Sequence, residues 1–264
     1  MEIELDFSKS IEKNAEDYFE KSKKAKKKLE GLAKASEIPR QKIELLKKNI
    51  SREKKPLHKK RKHFWFEAFH WFVSEKGFLV VAGRSAKENE MLVKKHLEKN
   101  DLFLHADIQG GAATIIKSEG KKIPDETIAE AAQFAGVFSK AWSSGLSSVD
   151  VYAVSADQVS KKAPSGESLG TGSFMIYGKR KWFKPELKLS LGIKKENNDF
   201  IAVSGPESSV KKQALVFLEI RQGNSKPGAC AKKIIKALAE KAKEELVLHP
   251  DEIIKMLPSG GISF

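Results

Sequence analysis

VVAGRSAKENEMLVKKHLEKNDLFLHADIQGG, residues 80–111, is the stretch from which the rest of the chain is read. It opens inside an apolar run, residues 78–82, that stops at Gly83. A polar turn follows, then a periodic segment, residues 87–97, that reads as a helix with Met91, Leu92 and Leu97 inward. A second apolar run, residues 102–105, leads to Ala106, Asp107 and the pair Gly110-Gly111. The order is strand, helix, strand, with polar residues gathered where the strands end. Loops at such ends carry binding groups because the scaffold beneath them is rigid.

The same reading extends in both directions. Upstream, Phe69, Trp71 and Val73 alternate with His70, Phe72 and Ser74, and Glu75-Lys76-Gly77 makes a turn, so residues 69–82 read as an antiparallel pair. Phe64, Trp65 and Phe66 extend this aromatic patch, which fills a core or stacks on bases. Downstream, residues 113–117 are a strand, and Pro124, Asp125 and Glu126 open a largely apolar helix that ends near Trp142. Residues 149–154 are a strand, and residues 160–171 form a Gly, Ser and Pro loop. Residues 174–177 and 186–191 read as two strands joined by the basic turn GKRKWFKP. Residues 200–204 and 215–220 are two more, followed by a helix from Pro227 to about residue 245 and a short one at residues 250–256. The expected class is α+β, a mixed and largely antiparallel sheet with packed helices, over residues 63–264.

Residues 1–62 differ in character. Ile11, Ala15, Tyr18, Ser22, Ala25, Leu29 and Leu32 follow a 4-3 spacing, the seam of a coiled coil. Ser8 to Ser10 can cap its start, and Pro39 suits the first turn of a second helix carrying Ile43, Leu46 and Ile50. The expectation is an antiparallel helical hairpin over residues 8–62, with Pro56 kinking its second arm. A thin seam of this kind needs a partner, so docking or dimerisation through it is expected.

The net charge is +14, and residues 1–62, with 20 Lys/Arg against 11 Asp/Glu, hold +9 of it. Such a field draws polyanions, nucleic acid above all; a lysine-rich solvated surface is the bland alternative. One cysteine, Cys230, excludes an internal disulfide and a cysteine-based zinc site. No run has the length of a membrane span, and MEIELDFSKS has neither the basic nor the apolar region of a signal peptide. A cytoplasmic protein without cofactor or metal is expected.

Two places can carry chemistry. His105, Asp107 and Gln109 alternate and would share one face if the strand continued. They suit a base with its orienting partner, a contact to RNA, or a satisfied interior histidine beside a turn-capping aspartate. The second is SKKAPSGESLGTGSFMIYGKRK, residues 160–181. Its small residues let amides approach an anion while Lys161, Lys162, Lys179, Arg180 and Lys181 supply charge and Ser173 a hydroxyl. Arg84 joins that surface or pairs with Glu88 or Glu90. Asn89 is a further candidate contact, and Lys23, Lys24, Lys27 and Lys28 can track a phosphate backbone from the N-terminal arm.

GRSAKENEMLVKKHL with DLFLHADIQGGA, together with QVSKKAPSGESLGTGSFMIYGKRKWF, FHWFVSEKGFLVVAGR and VSGPESSVKKQ in the same order, resembles the NFACT-R domain of the NFACT family, the NEMF and RqcH proteins of ribosome-associated quality control. The resemblance extends over residues 63–231 and is archaeal-like. It departs at Ser85, where the family usually has Asp, and at Gln109, where it has a second His. The resemblance implies an RNA-binding module, with rRNA, tRNA and the large ribosomal subunit as partners, acting on subunits obstructed by peptidyl-tRNA and supporting C-terminal tailing. The family's N-terminal domain, which selects tRNA, has no counterpart in these residues, so the expectation is either a fragment of a longer protein or a separately encoded partner. The residues by themselves leave a second reading open, an RNA hydrolase with His105 and Asp107 as catalytic pair. The absence of a nucleophile elbow, Walker loop or carboxylate pair favours a protein that is not an enzyme.

Overall fold

The computed structural model describes residues 4–52, 64–162, 169–196, 199–244 and 246–264. The chain divides into two compact units, Met1–Lys62 and His63–Phe264.

The first unit is one helix, α1 (Ile11–Arg52), which runs unbroken through Gly31 and Pro39. The hairpin expected over residues 8–62 is therefore replaced by continuous helix. The interior proline costs roughly 3 kcal/mol and the glycine about 1. The Lys, Glu, Ala and Leu residues around them are strong helix formers, and no cluster of turn residues offers the chain another course. Pro56 lies outside the described residues. Ser10 caps the start as expected, accepting from the Lys13 amide at 3.2 Å. Residues 4–9 fold back along the first turns. The buried Asn14 side chain brackets both backbone groups of Asp6 at 2.9 Å, and the Tyr18 hydroxyl donates to the Glu4 carbonyl at 2.7 Å. The seam is otherwise bare: Ile11, Leu29 and Leu32 are 85%, 69% and 67% exposed, as is Phe19 beside it at 76%.

The second unit carries the sheets. β1 (His70–Val73) and β2 (Leu79–Ala82) form the expected antiparallel pair around Gly77, whose φ of 87° needs no side chain. α2 (Ala86–His96) leads to β3 (Leu102–Ala106), and β4 (Thr114–Ile116) inserts between β2 and β3, antiparallel to both. β2 and β3 thus run the same way, with α2 as the crossover between them. After α3 (Asp125–Val137) and α4 (Lys140–Ser143), β5 (Val151–Ser155) adds beside β3. β6 (Val159–Ser160) and β7 (Met175–Ile176) make a separate ribbon, and β8 (Lys181–Phe183) closes the six-stranded order β1-β2-β4-β3-β5-β8. β9 (Leu189–Glu196), β10 (Asp199–Gly205), α5 (Glu207–Gln213), β11 (Val216–Ser225), α6 (Pro227–Ala242), α7 (Pro250–Met256) and β12 (Ile262–Ser263) complete the unit. The second sheet has the order β10-β9-β11-β12.

Two expectations for this unit fail. The helix expected to end near Trp142 stops at Val137, and α4 restarts on its own cap, Ser139. GKRKWFKP is not the tip of a hairpin between two paired strands. β7 pairs with β6, β9 belongs to the second sheet, and Lys181 to Phe183 is itself a strand beside β5. Trp182 and Phe183 have the strand propensity that the surrounding lysines concealed.

Both faces of the first sheet are covered. Leu104, Ala106, Val151 and Ala153 join one core with Phe134 of α3, Leu189 and Leu191 of β9, and Ile234 and Leu238 of α6. α3 is apolar nearly all round, and nine of its 13 residues are buried. On the other face Val81, Phe103, Ile115, Tyr152 and Val154 pack with Leu92 of α2.

The α2–β3 connection is locked by charge. Asp101 is fully buried and Lys117 nearly so, with Nζ 2.5 Å from Oδ2; the carboxylate also accepts from the amides of Glu98 and Ser118 at 2.9 Å. Removing one partner of a buried pair strands the other. Lys117→Met is expected to cost about 3–5 kcal/mol, whereas pairing it with Asp101→Leu recovers part of that loss. Urea midpoints of the two variants compare them directly.

Candidate nucleic-acid interface

The candidate surface is built where β3, β5 and β8 run side by side. Register sets His105 opposite Tyr152 and Tyr152 opposite Trp182, so the three form a row across the sheet. The ring centroids are 6.0 Å apart for His105 and Tyr152, and 5.6 Å for Tyr152 and Trp182. β8 is the edge strand, and Trp182 is 49% exposed on it. The Arg180 guanidinium lies 4.7 Å from the centroid of Tyr152 and 5.9 Å from that of Trp182, a cation against two aromatic rings.

The expected trio of His105, Asp107 and Gln109 does not share a strand face. β3 ends at Ala106, and a bend and turn follow. The reason is Gly111: a Cβ there would lie 2.7 Å from the His105 ring, so the chain folds back tightly over that imidazole. Burial lowers the pKa of His105, while the neighbouring carbonyls of Ala106 and Gly111 and the charge of Asp107 pull it up. No hydrogen bond joins His105 to Asp107 among the described contacts. Of the readings left open by the sequence, the satisfied interior histidine fits best. Asp107 and Gln109 are exposed at the loop, and Gly110 packs beside the Lys140 side chain. Among the described residues no three His, Cys, Asp or Glu side chains gather as metal ligands would, and no helix is long and apolar enough to cross a membrane.

Asn89 is an internal brace and not a surface contact. It is 6% exposed; its amide donates to the Gly111 carbonyl at 3.2 Å and accepts from the Ala113 amide at 3.1 Å. Ser85 caps α2, accepting from the Glu88 amide at 3.3 Å, a role that Asp also performs. Arg84 is exposed, donates to the Phe69 carbonyl at 2.8 Å and has Glu88 nearby; burial of the guanidinium lowers its pKa.

The basic residues separate into occupied and available groups. Lys161 pairs with Glu90 at 3.2 Å and donates to the Gly170 carbonyl at 3.3 Å. Glu90 also receives the Gly172 amide and Lys94; those hydrogen bonds, Lys94 first, hold its pKa at about 2. Lys181 projects to the other side of β8 and pairs with Asp125 at 2.6 Å. Lys162, Lys179, Arg180 and Lys140 are exposed and have no carboxylate partner among the described residues, and Ser173 is exposed beside the Gly170 turn. On the first unit Lys23, Lys27 and Lys28 are exposed and Lys24 meets Glu20 at 3.4 Å.

A glutamine positions the available pair. Gln158 donates to the Tyr177 carbonyl at 2.6 Å and the Lys179 carbonyl at 3.0 Å, while its own oxygen accepts from Ser155. Gly178 leaves room for it, since a Cβ there would approach the Gln158 amide to 2.6 Å. Sequence reasoning missed Tyr152, Trp182, Lys140 and Gln158. Only Trp182 had a visible signal, a tryptophan within a basic run.

Residues 68–178 match the family model described as NFACT protein RNA binding domain. The chain is 37% identical over 219 residues to an archaeal Rqc2 homolog, aRqcH, of Methanocaldococcus jannaschii, covering 83% of this chain and 31% of that protein. It is 38% identical over 196 residues to a ribosome quality control complex subunit NEMF homolog of Drosophila melanogaster, covering 72% of this chain and 20% of that one. Over 190 residues it is 37% identical to ribosome quality control complex subunit 2 of Schizosaccharomyces pombe, covering 69% and 18%. The chain thus spans less than a third of the length of these relatives.

Burial holds two imidazoles neutral: His105, and His70, which is stacked on Phe138 at 3.8 Å. The pKa of His70 falls to about 3 through burial first and the Arg84 charge second, against a hydrogen bond to the Lys255 backbone. Unfolding raises both values, so stability is full above about pH 6.5 and drains as pH falls below it, by at most about 1.4 kcal/mol per pH unit for each histidine. For His70 the window extends down to about 3. Thermal melts from pH 7 to 4 are expected to fall less steeply in His70→Phe than in wild type.

Proposed function

Because the chain belongs to the NFACT family, through the RNA-binding domain that residues 68–178 match, we propose that it is the RNA-contacting module of a ribosome quality control factor. On this reading it contacts the large ribosomal subunit, tRNA, or both, on subunits obstructed by peptidyl-tRNA, and supports C-terminal tailing of the stalled peptide in the cytoplasm. One observation carries the reading: a family of RNA-binding domains is matched by a body in which Arg180, without a carboxylate partner among the described residues, stands beside an exposed tryptophan on an edge strand, with Lys179 next in the chain. The names of the relatives, which refer to ribosome quality control, support the setting.

We propose also that the chain catalyses no reaction. His105 is engaged with its own loop and has its pKa lowered by burial, which suits a structural imidazole better than a general base. RNA cleavage by the pure protein, lost in His105→Ala, would overturn this.

The α1 helix adds a second basic surface. Its exposed seam suits docking or self-pairing, because acidic Glu12, Glu16, Asp17 and Glu20 precede basic Lys21, Lys23, Lys24, Lys26, Lys27 and Lys28. An antiparallel partner of the same kind would set one block against the other. A separately encoded N-terminal part of the family is the other occupant to test, and sedimentation with and without it separates the two.

The salt dependence of binding tests the main reading. Each phosphate contact contributes about 0.7 to the slope for single strands and about 0.9 for duplex. Lys179→Glu and Arg180→Glu are each expected to weaken RNA binding and flatten the slope by about that amount. Lys181→Glu, which loses an ion pair with Asp125, is expected to change the slope less. Equal slopes in all three variants and wild type would reduce the β8 cations to a solvated face.

A further inference from the structure

We propose that the exposed face of Trp182 is a stacking seat for one unpaired nucleobase of single-stranded RNA, with Arg180 as the cation that receives the adjoining phosphate. The proposal rests on the RNA-binding reading and deepens it by naming the nucleic acid: a single strand, loop or end, not a duplex.

Two other exposed aromatic side chains of this unit are already stacked on a ring. Trp65 already lies flat on His96, with centroids 3.9 Å apart and planes 7° from parallel. Phe64 is likewise stacked on Phe66, 5.3 Å and 3°. Trp182 meets Tyr152 edge to face, at 72°, and no other ring is stacked flat on it among the described contacts. The Arg180 guanidinium lies 5.9 Å from the indole centroid, and the ring is 49% exposed on an edge strand with no other ring stacked flat on it among the described contacts, so it can still receive a base.

The setting is stiff. Tyr152, under Trp182, is 8% exposed and belongs to a packed core, so the indole rests on a fixed support. Gln158 fixes the chain immediately before β8 through two backbone carbonyls, which limits where Arg180 can move. Stacking on a held ring costs little ordering entropy, and every base has a π-face to offer.

Charge sets the direction of the strand. Asp107 acts electrostatically on both His105 and Tyr152, so its carboxylate borders the β3 end of the row. Lys140, against the same loop, offsets that charge in part, so the carboxylate weakens the attraction for a phosphate there. Arg180 and Lys179, without carboxylate partners among the described residues, stand at the β8 end. The backbone of a bound strand therefore runs along β8, and the base turns inward over Trp182. A planar guanidinium already lying against two rings is also suited to continue the stack. Duplex RNA keeps its bases paired and cannot fill the seat, whereas its phosphates still meet the same cations.

The full chain, titrated into a fluorescently labelled unstructured single-stranded RNA and a duplex of equal length over a salt series, tests this. Trp182→Ala is expected to weaken single-strand binding about ten-fold, within the usual cost of one lost base stack. Duplex binding and both salt slopes stay at wild-type values, since no phosphate contact is lost. Trp182→Phe is expected to restore most of the single-strand affinity, which also separates stacking from a folding defect. If wild type binds both RNAs and Trp182→Ala leaves the single strand unchanged, or weakens both equally, the stacking seat is overturned while the RNA reading stands. If wild type binds neither RNA at low salt, the RNA reading falls and the seat with it.

Discussion

A single side-chain amide, that of Asn89, ties α2 to the two loops on which the first sheet depends, the one after β2 and the one between β3 and β4. It holds the Gly111 carbonyl and the Ala113 amide, and so fixes the start of β4 to α2. It can do so only because Gly83, at the end of β2, lacks a side chain: a Cβ there would lie 2.1 Å from the Asn89 oxygen. Gly111 in turn must be bare because the His105 ring lies against it. One asparagine, two glycines and one histidine are therefore mutually required. An unpaired amide in that interior would cost several times what the hydrogen bonds contribute net, so the arrangement tolerates one register of β4 between β2 and β3.

This constraint changes how the signature stretch is understood. Glycine, asparagine and histidine beside strand ends have the composition of a ligand site, and the sequence alone could not separate the two uses. Burial does. Asn89 is almost wholly buried with its amide spent on the backbone, and the His105 ring is spent on its own loop. Ser85 in place of an aspartate keeps the one function visible at that position, the N-cap of α2. Gln109, in place of a histidine, is exposed on the loop and braces nothing among the described contacts.

Much of the fold was legible because its signals were local. The apolar runs of β2 and β3, the turn at Gly77, and the proline starts of α3, α6 and α7 all lie where the residues put them. The failures came where a local signal competed with a longer-range one. Pro39 reads as a helix start, yet the helix formers on both sides carry α1 through it. Lys179 to Lys181 read as a turn, because three consecutive cations are rarely a strand in the middle of a sheet. Lys179 and Arg180 do lie outside any strand, but Lys181 opens an edge strand, which the sequence does not mark, since edge position depends on the whole strand order. The partners of Lys161 and Lys181 were invisible for the same reason: Glu90 and Asp125 are 71 and 56 residues away in the chain and meet them only in the fold.

Edge position also gives Lys181 and the two cations just before β8, Lys179 and Arg180, a physical reason that does not depend on a ligand. An unpaired strand edge invites another chain to add to it, and charged side chains there oppose such pairing. Lys181, neutralised by Asp125, contributes least to that repulsion; Lys179 and Arg180 contribute most. The same cations that keep a second protein strand away attract a polyanion whose backbone has no hydrogen-bond ladder to offer. Solubility and nucleic-acid contact thus draw on one set of charges, so the charges alone do not distinguish a binding surface from a protective one. Trp182 does, because an exposed indole serves no protective purpose on an edge: it adds apolar surface where repulsion calls for less. Its presence between Lys181 and Phe183, held over Tyr152, tilts the reading of this edge from protection towards recognition.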